Sequence, residues 1–126
     1  MTQIRRILAL GAVLALGAAA CGDTTPPESA EPASTTATIV ADDIAFDTTE
    51  LDVTAGDTLT ITLDNRDDAV AHNLHVQGAA GGDAKTEIEE GPTTQTLDVS
   101  FDEAGEFEYF CDVHPQQMRG TVTVTS

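Results

Sequence analysis

From Thr36 onward the chain is a succession of short runs in which apolar and polar residues alternate. The clearest is Thr58-Leu-Thr-Ile-Thr-Leu-Asp64, which puts Leu59, Ile61 and Leu63 on one face at period two, the pattern of a half-buried strand. Residues 37–40, 44–46 and 51–53 read the same way, as does 96–101, where Leu97, Val99 and Phe101 share a face. Phe107, Tyr109 and Cys111 line up in a further run, and Thr121-Val-Thr-Val-Thr125 closes the series. Ala55-Gly-Asp57, Asn65-Arg-Asp-Asp68 and Asp102-Glu-Ala-Gly105 are turns by composition. Gly78-Ala-Ala-Gly-Gly-Asp83 is a flexible loop, and the polar stretch 85–90 fits either a strand or a helical turn. About seven or eight strands with no amphipathic helix predict an all-β domain, an antiparallel β-sandwich over residues 36–126. It is small, but long enough to bury one core.

The 126-residue chain begins differently. Arg5 and Arg6 form a basic start, residues 7–20 are continuously small or apolar, and Ala18-Ala-Ala-Cys21 ends the run. That is a secretory signal over residues 1–20, too short and too plainly cleavable to span a membrane. Three small residues before a cysteine also resemble a bacterial lipobox, in which Cys21 becomes the lipidated first residue. The paired arginines leave twin-arginine export open beside the general route. Residues 21–35 hold no large apolar side chain and read as a disordered tether. A tether of that length spans on the order of 20 Å. The expected location is the outer face of a bacterial or archaeal membrane, or the periplasm.

Charge narrows the partners. Residues 21–126 contain all 22 acidic side chains and only Arg66, Lys85 and Arg119 as cations, a formal charge of −19. Such a surface argues against nucleic acid and against direct contact with an anionic membrane, leaving the lipid anchor as the membrane link. It suits a basic partner, a saline habitat, or simple dispersal as a monomer.

Cysteine usage then points to chemistry. If Cys21 carries lipid, Cys111 has no disulfide partner, and a lone cysteine in an oxidising compartment needs a reason. A Cys21–Cys111 disulfide would require the lipobox reading to fail. Cys111, His114 and Met118 lie within eight positions on a loop between two strands. A fourth donor is available in Ala71-His-Asn-Leu-His-Val76, read as one short strand with His72, Leu74 and Val76 on the core face and Asn73 and His75 on the other. Two imidazoles and a thiolate in a plane with a weak axial thioether suit one copper ion. His75 points away from His72 in this register and is set aside as a ligand.

Quoted together, Leu51-Asp-Val-Thr-Ala-Gly-Asp-Thr-Leu-Thr60, His72-Asn73, Tyr109-Phe-Cys111, His114 and Met118-Arg-Gly120 resemble the cupredoxins, the small blue copper proteins. The resemblance covers nearly the whole domain. It implies a Greek-key sandwich with one type 1 copper at one end, carrying single electrons between redox proteins rather than catalysing a reaction. It also implies that the backbone N–H of Asn73 bonds the Cys111 sulfur, and that the exposed edge of His114 is the electron port. Phe110, facing opposite to Cys111, is a candidate second contact surface. One departure stands out. The spacing here is Cys-x2-His-x3-Met, between the longer plastocyanin-like and the shorter amicyanin-like loops, so Gln117 is a fallback to Met118 as axial ligand.

Rival classes fail on counts. Three histidines in all cannot build a second, His-rich copper centre, and one available cysteine cannot build a binuclear one. Cys111 and His114 share one short loop with no oxyanion-hole motif, which argues against hydrolysis. The remaining alternative is a protein that binds, buffers or delivers copper without passing electrons.

Overall fold

Alternation becomes strand in the computed structural model, which describes residues 33–126. The signal, Cys21 and most of the tether lie outside the described residues. In chain order the strands are β1 (Ser34–Asp42), β2 (Ala45–Phe46), β3 (Glu50–Thr54), β4 (Thr58–Asn65), β5 (Ala71–His72), β6 (His75–Val76), β7 (Ala84–Lys85), β8 (Glu89–Glu90), β9 (Thr93–Ser100), β10 (Gly105–Phe110) and β11 (Arg119–Thr125). β1 starts at Ser34, so the ordered chain reaches into the stretch read as tether.

Two sheets carry the fold. One runs β2-β1-β4-β9, the other β3-β11-β10-β6-β7, and β5 pairs with β8 in a separate ribbon. Ile39, Leu59, Ile61, Leu63 and Val99 of the first sheet and Leu51, Val53, Val76, Tyr109, Val122 and Val124 of the second are all buried in one core. β4 shows the strict alternation that its sequence predicts, with Leu59, Ile61 and Leu63 buried and the threonines between them half-buried.

The sandwich is as expected, but each sheet contains one parallel pair: β1 with β4, and β3 with β11. The remaining ladders of these sheets are antiparallel. The parallel pairs arise because the chain crosses between sheets. After the β1–β2 hairpin it enters the other sheet as β3, and returns to lie beside β1 as β4. A half-buried parallel strand alternates just as an antiparallel one does, so the residue pattern carries no sign of direction.

Two stretches depart from the sequence reading. Residues 71–76 are not one strand. β5 and β6 join different partners, and the break at Asn73 and Leu74 buries both side chains along with His72. Residues 85–90, which by sequence fit either a strand or a helical turn, supply the last residue of β7 and both residues of β8.

Tyr109 locks the second sheet. Its ring is fully buried, and its hydroxyl donates to the Thr48 carbonyl at 2.6 Å. Burial, with Asp47 and Glu50 nearby, pushes the phenol above its usual range. The ring lies across Gly120, where a Cβ would overlap the ring and hydroxyl and stand 2.6 Å from the Thr49 carbonyl. Gly120→Ala should therefore lower the stability of the metal-free protein by about 1–3 kcal/mol, as overpacked cores do. Urea unfolding followed by circular dichroism checks this, and an unchanged midpoint would contradict it.

Candidate metal centre

Cys111, His114 and Met118 lie between the end of β10 and the start of β11. The register of these two strands pairs Phe110 with Arg119, and the ladder continues one rung further, as Cys111 N–H donates to the Met118 carbonyl at 2.9 Å. Between these residues the chain makes a single helical turn. The Gln117 and Met118 N–H groups both donate to the His114 carbonyl, at 3.2 and 3.0 Å. Three residues between His114 and Met118 are what an i,i+4 turn needs, so the unusual loop length has a structural explanation. Met118 is fully buried, whereas Gln117 is exposed.

His72 arrives from β5 and is also fully buried. Its Nδ1 lies 3.9 Å from Cys111 Sγ and 3.2 Å from His114 Nδ1. One donor atom from each of His72, Cys111 and His114 falls within 4.8 Å of the others. A first-row ion bound at about 2.0–2.3 Å to nitrogen and sulfur, with three donors around it in a plane, holds them roughly 3.5–4 Å apart. The spacing and the donor softness therefore fit a single mononuclear ion with imidazole and thiolate ligands. Cys111 is buried and, among the described residues, has no disulfide partner. His114 is only half-buried, so it is the edge of the cluster nearest solvent.

Carboxylates surround the cluster at one remove. Asp67 Oδ2 lies 2.7 Å from His72 Nε2. A carboxylate only accepts, so Nε2 carries the proton and Nδ1 presents its lone pair to the cluster. Asn73 links to the Cys111 side through its side chain. Its Oδ1 accepts from Asp112 N–H at 2.8 Å, and its Nδ2 donates to Asp112 Oδ2 at 2.9 Å. The sulfur bond expected from its backbone N–H is not among the hydrogen bonds of the described residues; the Sγ contact there is to His72 Nδ1. His75 is turned away from the donors. Its Nδ1 meets Asp112 Oδ1 at 2.8 Å, its Nε2 faces Asp83 Oδ2 at 3.3 Å, and its ring packs on Phe110 with centroids 4.7 Å apart. Phe110 itself is half-buried, with the His75 ring as its aromatic neighbour.

Asp67 and Asp112 were not singled out from the sequence. Both lie beside a candidate ligand or its loop, in polar stretches where nothing in the pattern separates one aspartate from the next. The three cations of the described residues each stand beside a carboxylate as well: Arg66 with Asp64, Arg119 with Glu108, and Lys85 at 3.9 Å from Asp112.

Burial pushes the Asp67 carboxyl up, but the hydrogen bonds from Ile44 N–H, His72 and Asp43 N–H outweigh it and hold the group below its ordinary 3.8. Asp112 behaves alike: burial raises it, and the bonds to His75 and Asn73 lower it further than burial lifts it. A carboxylate with a depressed folded-state value contributes stability that is fully present above the unfolded value and fades as pH falls through the folded one. The metal-free protein should therefore keep these contributions down to about pH 4 and lose them below it. Urea midpoints between pH 6 and pH 2 check this. The loss should be shallower in Asp112→Asn, and an identical profile would contradict it.

A family model described as a cupredoxin-like domain matches residues 7–124. Amicyanin of Paracoccus denitrificans is 38% identical over 130 aligned residues, spanning 98% of this chain and 96% of that protein. Amicyanin-alpha of Methylorubrum extorquens is 33% identical over 116, spanning 92% of each. Among solved structures, auracyanin A, a "blue" copper protein of Chloroflexus aurantiacus, superposes with a TM-score of 0.64 at 24% identity, covering 73% of this chain and 99% of its own, a likeness of fold. A mutant amicyanin in its Cu(I) form superposes with a TM-score of 0.53 at 34% identity, covering 71% and 81%.

Proposed function

We propose that this chain, which belongs to the cupredoxin family, carries single electrons on one type 1 copper ion held by His72, Cys111 and His114, with Met118 as the axial ligand. The observation that carries the reading is the convergence of His72 Nδ1 with Cys111 Sγ and His114 Nδ1, the latter two on a loop whose last residue before β11 is the fully buried Met118. Burial of Met118 and exposure of Gln117 favour the thioether over the amide in the axial place.

Copper in such a site supplies a one-electron couple between Cu(II) and Cu(I). The protein's part is to keep the donors still while the charge changes. Thiolate and thioether favour Cu(I), and imidazole suits both states. The Cys111–Met118 rung closes the ligand loop as a continuation of the β10–β11 ladder, the Asn73–Asp112 pair ties that loop to the segment after β5, and the Asp67–His72 bond ties the imidazole to the turn after β4. Donors fixed in this way reorganise little, and electron transfer is correspondingly easy. His114, the half-buried member, offers its ring edge as the route in and out.

The partners are a redox donor and a redox acceptor outside the cytoplasm, and the strongly acidic surface favours basic docking faces on them. The protein works as a monomer on a tether lipidated at Cys21, at the outer face of the membrane; the leader and the Ala18-Ala-Ala-Cys21 sequence support this placement.

Adding Cu(II) to the protein and then a mild reductant tests the carrier reading. An intense blue band should bleach on reduction and return on reoxidation, and it should be lost in Cys111→Ser. Copper that binds tightly without a reversible band would replace the reading with copper storage or delivery. Separately, Cys21→Ser should move the expressed protein from the membrane fraction to the soluble one, and a variant still in the membrane fraction would sink the lipid anchor.

A further inference from the structure

We propose that the turn between β1 and β2 belongs to the metal centre: the backbone N–H groups of Asp43 and Ile44 grip the Asp67 carboxylate, and that grip decides which nitrogen of His72 faces the donors. The inference rests on His72 being a ligand.

Asp43 and Ile44 are the two central residues of the β1–β2 hairpin, whose last pairs are Ala41 with Phe46 and Asp42 with Ala45. Both have left-handed backbone, with φ of 53° and 55°. This is the geometry of a type I′ turn, for which Asn-Gly or Asp-Gly is the usual sequence. A β-branched residue in the second place is strained. Glycine would close the same hairpin without that strain, and the Ile44 side chain is 38% exposed, so core packing does not account for it. Strain of this kind persists where surrounding contacts over-determine the backbone.

Those contacts come from Asp67. Asp43 N–H donates to its Oδ1 at 2.6 Å and Ile44 N–H to its Oδ2 at 3.0 Å. Two successive N–H groups form a small anion-binding nest. Oδ2 also takes His72 Nε2 at 2.7 Å, so one carboxylate is shared between the turn and the histidine. The loop that bears Asp67 is fixed from further sides. Arg66 N–H donates to the Ala41 carbonyl at 2.8 Å, at the end of β1, and Asp67 N–H to the buried Asn65 Oδ1 at 3.0 Å. At Gly91 a Cβ would overlap the Asp67 carbonyl, so that side of the loop is closed as well.

The chain of constraint is therefore turn, carboxylate, imidazole. With both its oxygens engaged, Asp67 cannot swing away from Nε2. His72 Nε2 keeps its proton, and Nδ1 is left as the donor. A hairpin at the edge of the first sheet thereby sets the tautomer of a ligand on β5.

The test uses the full-length protein, ¹⁵N-labelled and metal-free, with three variants. In the wild type His72 should be a single Nε2–H tautomer, and the amides of Asp43 and Ile44 should exchange slowly. Asp67→Asn cannot accept from all three donors. It should speed exchange at both amides at least tenfold, mix the His72 tautomers and weaken copper binding about 10–100-fold. Ile44→Pro lacks the N–H and cannot take positive φ, and it should disturb the His72 ring signals in the same way. Ile44→Gly keeps both N–H groups and should behave as wild type at His72. Wild-type ring signals and copper affinity in Ile44→Pro would overturn the proposal. So would unchanged exchange at residues 43 and 44 in Asp67→Asn, which decides the matter if the proline variant does not fold. The ring and amide signals are read without copper, so a missing blue band beside the expected signals would sink the carrier reading and leave the turn's role standing.

Discussion

The amide of Cys111 donates to the carbonyl of Met118 at 2.9 Å, one rung beyond the last paired residues of β10 and β11. That bond makes the ligand loop a continuation of the sheet rather than an appendage to it. Thiolate and thioether then stand at the two ends of the same rung, with a one-turn excursion carrying His114 between them. Phe107, Tyr109 and Gly120 extend the same ladder inward, and the Tyr109 hydroxyl fastens it to the chain ahead of β3. The stiffness of the loop is therefore the stiffness of the core beneath it. A change in side-chain volume at Gly120 would be felt at Cys111 through two rungs of backbone.

The fourth member comes from a less regular place. His72 sits in a two-residue strand outside both main sheets, paired only with Glu89 and Glu90. So short a ribbon holds little by itself. Its position depends on polar bonds: Asn65 Nδ2 to the carbonyls of Val70 and Glu89, Asp67 to the ring, and Asn73 across to Asp112. No buried side-chain nitrogen or oxygen among the described residues lacks a partner. A network satisfied throughout is rigid, and a half-satisfied one is costly, so these bonds stand or fall together. The centre thus joins two kinds of support, a sheet ladder for sulfur and a polar web for the buried imidazole.

Which parts of this were legible beforehand follows from the same division. The ladder is written in alternation, so β4, β10 and β11 and their buried faces could be read directly from Leu59, Tyr109 or Val122. Cys111, His114 and Met118 could be grouped because they are close in the chain and soft in character. The web is not written locally. The break at Asn73 and Leu74 looks like continued alternation, yet it hands one strand's worth of residues to two different partners. Asp67 and the Asp43–Ile44 turn are 23 or more residues apart, and neither looks unlike the many other acidic positions. Strand direction was invisible for a related reason: facing residues bury the same side whether their neighbour runs with them or against them. The loop length of Cys-x2-His-x3-Met could be measured but not interpreted until the i,i+4 turn gave it a shape.

Arg66, Lys85 and Arg119 each already face a carboxylate. Positive charge to balance the remaining acidic side chains has to come from solution. Folding draws those side chains into a smaller volume, so the folded chain gathers a denser cloud of counterions than the unfolded one. In dilute buffer the repulsion reaches across the whole sandwich; at about 0.15 M salt it is screened beyond about 8 Å. Dissolved cations are in that sense a component of the fold. Its stability rises with ionic strength, and the reach of its field toward any partner shrinks at the same time.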